Sequence, residues 1–149
     1  MNHHLEILEC FYKLKNLHFM KFLPKDLTHG ECFTIMKLKK EQIKNKKVTF
    51  SSLASLLNVS SPSLSRTIKH LEEKGYVIRF TDDIDRRNNY LKVTKEGMKL
   101  INNLEKQMSF YCQKIYQHLG VERINIIIES LNQLYDIALS EIEEESKND

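Results

Sequence analysis

A chain of 149 residues is long enough for one domain with helical extensions, and its 41% hydrophobic residues supply a core of moderate size. Four glycines and two prolines favour long ordered elements over loops, no apolar run approaches a membrane span, and three widely spaced cysteines exclude a disulfide scaffold. The net charge of +3 conceals an asymmetry: from Lys37 to Lys99 fifteen basic residues face seven acidic ones, a balance of +8, and the remainder carries −5, which points to a polyanionic partner for the middle of the chain.

The opening MNHHLEILEC lacks a basic region followed by a long apolar core, so no secretory leader is expected. The odd, scattered cysteines suit a reducing cytoplasm. From about Asn2 to Leu23 apolar residues lie around most of a helical girth, which calls for cover on more than one side. Pro24 stops that helix. Thr28, with Glu31 three residues later, has the capping-box spacing that starts the next. Its inner face is expected to be Cys32, Phe33, Ile35, Met36 and Ile43, and KKEQIKNKK is expected to end it in a basic loop. Val48-Thr49-Phe50 reads as a short strand, after which Ser51 or Ser52 would cap a helix.

Leu53 to Val77 reads as two helices joined by a tight turn. Leu53, Ala54, Leu56 and Leu57 belong to the first, Asn58 tolerates turn geometry, and Val59 can pack into the angle. Ser60 stands where an N-cap belongs and Pro62 fits a first turn. Leu64, Ile68 and Leu71 form the inward stripe, and Gly75 ends the helix in a left-handed cap. Ser61, Ser63, Ser65, Arg66, Lys69 and His70 are left for the other faces. A polar, acid-free first turn followed by an arginine suits major-groove reading, with serines at base edges and phosphates and Arg66 on a phosphate or a guanine edge. A plain surface hairpin with capping serines is the structural alternative.

Tyr76 to Phe80 and Tyr90 to Val93 read as two strands joined by the polar loop TDDIDRRNN. A hairpin after a helix-turn-helix makes a winged helix. Arg86 and Arg87 are its candidates for the minor groove, and Asp85 would orient one of them. Asp82, Asp83 and Asp85 lack the glycine and terminal Glu of a calcium loop, so no metal is expected there. Thr94 caps a further helix that tolerates Gly97 and carries a stripe from Leu100 to Leu119. Gly120 breaks it, a last helix carries Val121 to Ile142, and the acidic tail EIEEESKND is expected to fray. Two such helices have too little of their own chain to cover them, so a second copy is expected to do so. A two-fold dimer would set recognition helices about 34 Å apart on an inverted repeat.

LASLLNVSSPSLSRTIKHLEEKGYVIR followed by TDDIDRRNNYLKVTKEG resembles the MarR family of bacterial transcriptional regulators. The resemblance rests on Leu71 to Val77, on Asp85-Arg86-Arg87, and on the return from Leu91 to Gly97. It implies a mainly α fold with a small β-wing, in which a winged lobe at about 28–97 is flanked by dimerisation helices at about 2–23 and 98–143. It also implies an obligate homodimer on double-stranded DNA with a palindromic operator, most often a repressor. Cys10 resembles the reactive cysteine of the peroxide-sensing branch, and Cys32 is its candidate neighbour; both are otherwise ordinary buried thiols. The family expectation is a small aromatic or amphipathic effector, placed here against Phe11, Phe33, Met36 and Tyr111, residues that plain core packing would also explain. The six histidines show no ligand spacing, so zinc and other cofactors are not expected. No nucleophile, oxyanion donor and cofactor loop occur together, so an enzyme is disfavoured. The alternatives are a thiol-switched repressor working through Cys10 and a winged-helix module that binds protein rather than DNA.

Overall fold

The computed structural model describes residues 3–16, 23–44, 47–81 and 89–148. Its elements are α1 (His3–Asn16), α2 (His29–Lys44), β1 (Val48–Thr49), α3 (Phe50–Leu57), α4 (Ser61–Glu73), β2 (Val77–Thr81), β3 (Asn89–Val93), α5 (Lys95–Leu119) and α6 (Val121–Asn148). The chain is mainly α with one small antiparallel sheet in the order β1-β3-β2. It forms two compact units, residues 1–105 and 106–149, with the boundary inside α5.

The first unit holds the core. Ile35 and Leu38 of α2, Leu53 of α3, Leu64, Ile68 and Leu71 of α4, Leu91 of β3, and Ile101 and Leu104 of α5 are almost wholly buried. Each such side chain contributes about 1.5–3 kcal/mol by leaving water. The sheet is registered by Val77 opposite Val93, Arg79 opposite Leu91 and Val48 opposite Leu91. Gln42 of α2 reaches the sheet and accepts the Val93 N–H at 3.1 Å.

The capping box at α2 forms as its spacing predicts. The Thr28 N–H donates to Glu31 Oε2 at 2.7 Å, and the Glu31 N–H donates to Thr28 Oγ1 at 3.2 Å. The inner face of α2 differs from expectation. Phe33 and Ile43 are exposed, while Glu31, Thr34 and Leu38 are buried with Cys32 and Ile35, because α4 and the sheet pack on that arc. The segment KKEQIK is helical to Lys44 rather than a loop. The cap of α3 is Thr49, not Ser51 or Ser52; its hydroxyl accepts the Ser52 N–H at 3.1 Å. The strand therefore ends one residue early and the helix begins at Phe50.

Asn58 closes α3 in the left-handed region at φ 50°. Val59 is exposed rather than wedged in the angle. Gly75, at φ 74°, ends α4, and the Tyr76 N–H returns to the Leu71 carbonyl at 2.9 Å. Thr94 caps α5 by accepting the Gly97 N–H at 3.0 Å. In α1 no residue is buried, and Leu8 and Tyr12 are among its exposed apolar side chains. In the second unit α6 exposes Ile126, Ile127, Leu131, Leu134, Tyr135 and Ile142, and it stays helical through the acidic tail to Asn148.

Candidate nucleic-acid interface

The first turn of α4 carries no acidic residue, and neither does that of α3. Ser60 is the N-cap; its hydroxyl accepts the Ser63 N–H at 3.4 Å, and Pro62 occupies the first turn. Leu64, Ile68 and Leu71 turn inward, which leaves Ser61, Pro62, Arg66 and Lys69 exposed and Ser63 and Ser65 half-buried. The candidate residues do not share one surface. Ser61, Pro62 and Ser65 line a cleft with Thr49, Phe50, Ser51, Arg79 and Asn89. Ser63 lines another groove, with Phe33, Leu57, Val59 and Thr67. Lys69 lies 3.9 Å from Glu73 on the exposed face, a separation at which the pair holds little.

The arginine that the motif did not single out is Arg79. Its Nε donates to Glu72 Oε2 at 3.0 Å, and its guanidinium lies 5.5 Å from the centre of the Phe50 ring. The ion pair and the ring together fix the direction of the guanidinium at the mouth of the cleft. A lone arginine in the strand VIRFT, seven residues after an acid, was the available signal. Asp85, Arg86 and Arg87 lie outside the described residues.

A second cluster sits at the other end of α4. Glu31 Oε1 lies 2.6 Å from His70 Nδ1, and Lys74 lies 2.8 Å from Asp26. Burial pushes the Glu31 carboxyl up, but the Thr28 N–H, His70 and the Thr28 hydroxyl more than offset it, so its pKa falls below the ordinary value. Lys74 draws the pKa of Asp26 down, and Asp26 draws that of Lys74 up. Cys32 is buried, and burial with the nearby charges of Glu31 and Asp26 pushes its thiol to about 11, an environment that opposes a thiolate. Cys10 is exposed on α1. Of the suggested effector contacts, Phe11, Phe33 and Tyr111 are exposed, and Met36 packs against the core. Among the described residues no cluster of three or more His, Cys, Asp or Glu could hold a metal, and no helix is long and apolar enough to cross a membrane.

The family model described as MarR family matches residues 27–88. The HTH-type transcriptional regulator FarR of Neisseria gonorrhoeae is 31% identical over 93 residues. That match covers 62% of this chain and 64% of the relative, so the chain spans a little under two thirds of its length. The structure of the S. aureus MepR–DNA complex is similar with a TM-score of 0.67 at 20% identity, covering 91% of this chain and 96% of that one. The PcaV transcriptional regulator from Streptomyces coelicolor, in complex with its natural ligand, is similar with a TM-score of 0.73 at 12% identity, covering 92% and 94%. At those identities the two likenesses show the fold, a winged helix-turn-helix.

Proposed function

We propose that the chain is a member of the MarR family, whose model matches residues 27–88, that it is a transcription regulator rather than an enzyme, and that it binds double-stranded DNA as a homodimer and represses genes beside an inverted-repeat operator. One observation carries the reading: an exposed, acid-free first turn of α4 whose Ser61 and Pro62, with Ser65, share a cleft with Arg79, while Arg66 stands exposed on the same helix. In this reading Ser61, Ser65 and Arg66 face base edges, while Ser60, Ser63, Lys69 and Arg79 hold phosphates. Arg86 and Arg87 reach the minor groove, with Asp85 setting their direction. The positive balance between Lys37 and Lys99 supports a salt-dependent share of the affinity.

The uncovered apolar faces of α1 and α6 support a second copy as their cover. A small aromatic or amphipathic effector would act from Phe11, Phe33, Met36 and Tyr111, in a protein working in the cytoplasm without a cofactor. The thiol-switch alternative gains no support from Cys32, whose surroundings keep it protonated.

Titration of the dimer with a duplex selected from a random pool tests the reading. Arg66→Ala is expected to weaken binding by about 1–3 kcal/mol and relax base preference at its position. Absence of retardation of any duplex at low salt would favour a protein-interaction module.

A further inference from the structure

Arg79 is held by the sheet, by α4 and by α3. It stands in the middle of β2, opposite Leu91 of β3, so the ladder fixes its backbone. Its Nε donates to Glu72 Oε2 at 3.0 Å, and its guanidinium carbon lies 5.5 Å from the centre of the Phe50 ring. The ion pair is partly withdrawn from water, with side chains 35% and 29% exposed. Glu72 stands in the last turn of α4, two turns beyond Ser65 and so on the same side of that helix. Phe50 opens α3. The same arginine lines the cleft with Phe50, Ser61, Ser65 and Asn89, at the corner where α3, α4 and the wing strands meet.

We propose that Glu72 is a positioning residue: it holds Arg79, set against the Phe50 ring, toward one backbone phosphate of the bound duplex. A guanidinium carries its N–H donors in a fixed plane. Among the described residues its hydrogen bond is the one from Nε to Glu72. The terminal nitrogens then keep a two-pronged edge that suits a phosphate. A side chain fixed beforehand loses little freedom on binding. Charge gives the proposal a distinctive sign. Glu72 is an anion beside the place of a polyanion, so repulsion alone makes its removal strengthen binding. As a positioning residue its removal weakens binding, because Arg79 is no longer aimed. The inference rests on the DNA-binding reading above and narrows it from a basic surface to one phosphate contact.

Fluorescence anisotropy of the intact protein on the selected duplex, with single phosphates replaced in turn by a neutral methylphosphonate, reads the contact. The wild type is expected to lose at least about threefold in affinity at a position to which Arg79→Ala is indifferent. Glu72→Ala is expected to bind the unmodified duplex more weakly than the wild type and to lose its response at that same position. Both variants keep the wild-type response at the other phosphates. The slope of log affinity against log salt is expected to fall by about one per bound copy in Arg79→Ala. A pair that only braces the fold would weaken binding alike at every position and leave the slope unchanged, and that pattern overturns the proposal. So does a Glu72→Ala variant that binds more tightly than the wild type.

Arg79→Lys is the gentler second variant. It keeps the charge without the planar fork. It is expected to hold the wild-type salt slope and to bind more weakly; wild-type affinity there would show that a point charge suffices and overturns the positioning role. A wild-type chain that binds no duplex at low salt overturns the DNA-binding reading, and the proposal with it. A wild type that binds, beside a Glu72→Ala variant that binds more tightly, overturns the proposal alone.

Discussion

Gly97 is buried in the first turn of α5, directly under the Tyr76 carbonyl. A methyl group there would run into that oxygen and into Val93 Cγ1 at 2.8 Å, and backbone cannot step aside as a flexible side chain can. Gly97→Ala is expected to cost about 2 kcal/mol or more in urea unfolding, the range of overpacking. Taken from sequence, this glycine is merely tolerated inside a helix; the close approach that requires it comes from a turn some twenty residues earlier and has no local signature. Glu31 gives a prediction of a different kind. Its pKa is lowered in the folded protein, so its contribution is complete above the ordinary value of 4.5 and is lost as pH falls through the depressed one. Thermal melts from about pH 6 to about pH 3 should show Glu31→Gln losing less stability on acidification than the wild type. Equal losses in both would show that the carboxylate is not held in its charged form.

Among the elements, α4 was the most legible. Its cap, its proline, its inward stripe and its closing glycine all act within a few residues of one another, and the structure has them where the spacing puts them. The stripe is also the costliest part to damage. Ile68 has no exposed surface, and Ile68→Ala is expected to lose about 2–5 kcal/mol in chemical unfolding. The wild-type midpoint in that variant would mean that α4 packs on another face. The inner face of α2 was less legible, because a helix with apolar residues on several sides is oriented by its neighbours. The arc that includes Thr34 and Glu31 is buried, and Phe33 is left to solvent beside Lys37, whose ammonium lies 5.6 Å from the ring centre. The start of α3 was displaced because Thr49 does two tasks, pairing with Tyr90 in the sheet and capping the helix. In the candidate site, the serines and Arg66 were readable as a motif. Arg79 needed its contacts with Glu72 and Phe50 before it stood out, and the Glu31–His70 contact joins segments with no pattern in common.

For the molecule as a whole, the uncovered apolar surface sets the expectation. Ile127 and Leu131 lie one helical turn apart on α6, 44% and 45% exposed, and so occupy one stripe. In the proposed dimer, the double change Ile127→Lys and Leu131→Lys is expected to halve the particle mass in light scattering while the winged lobe keeps its fold. A wild-type mass equal to one chain at working concentration would show that something other than a second copy covers that stripe. At the corner between wing and α5, the Thr94 N–H donates to the Tyr76 carbonyl at 3.0 Å, and its hydroxyl donates to the Gly75 carbonyl at 2.7 Å. Gly97 closes against the same turn. The start of α5 and the exit of α4 are thereby pinned to one another at Gly75 and Tyr76.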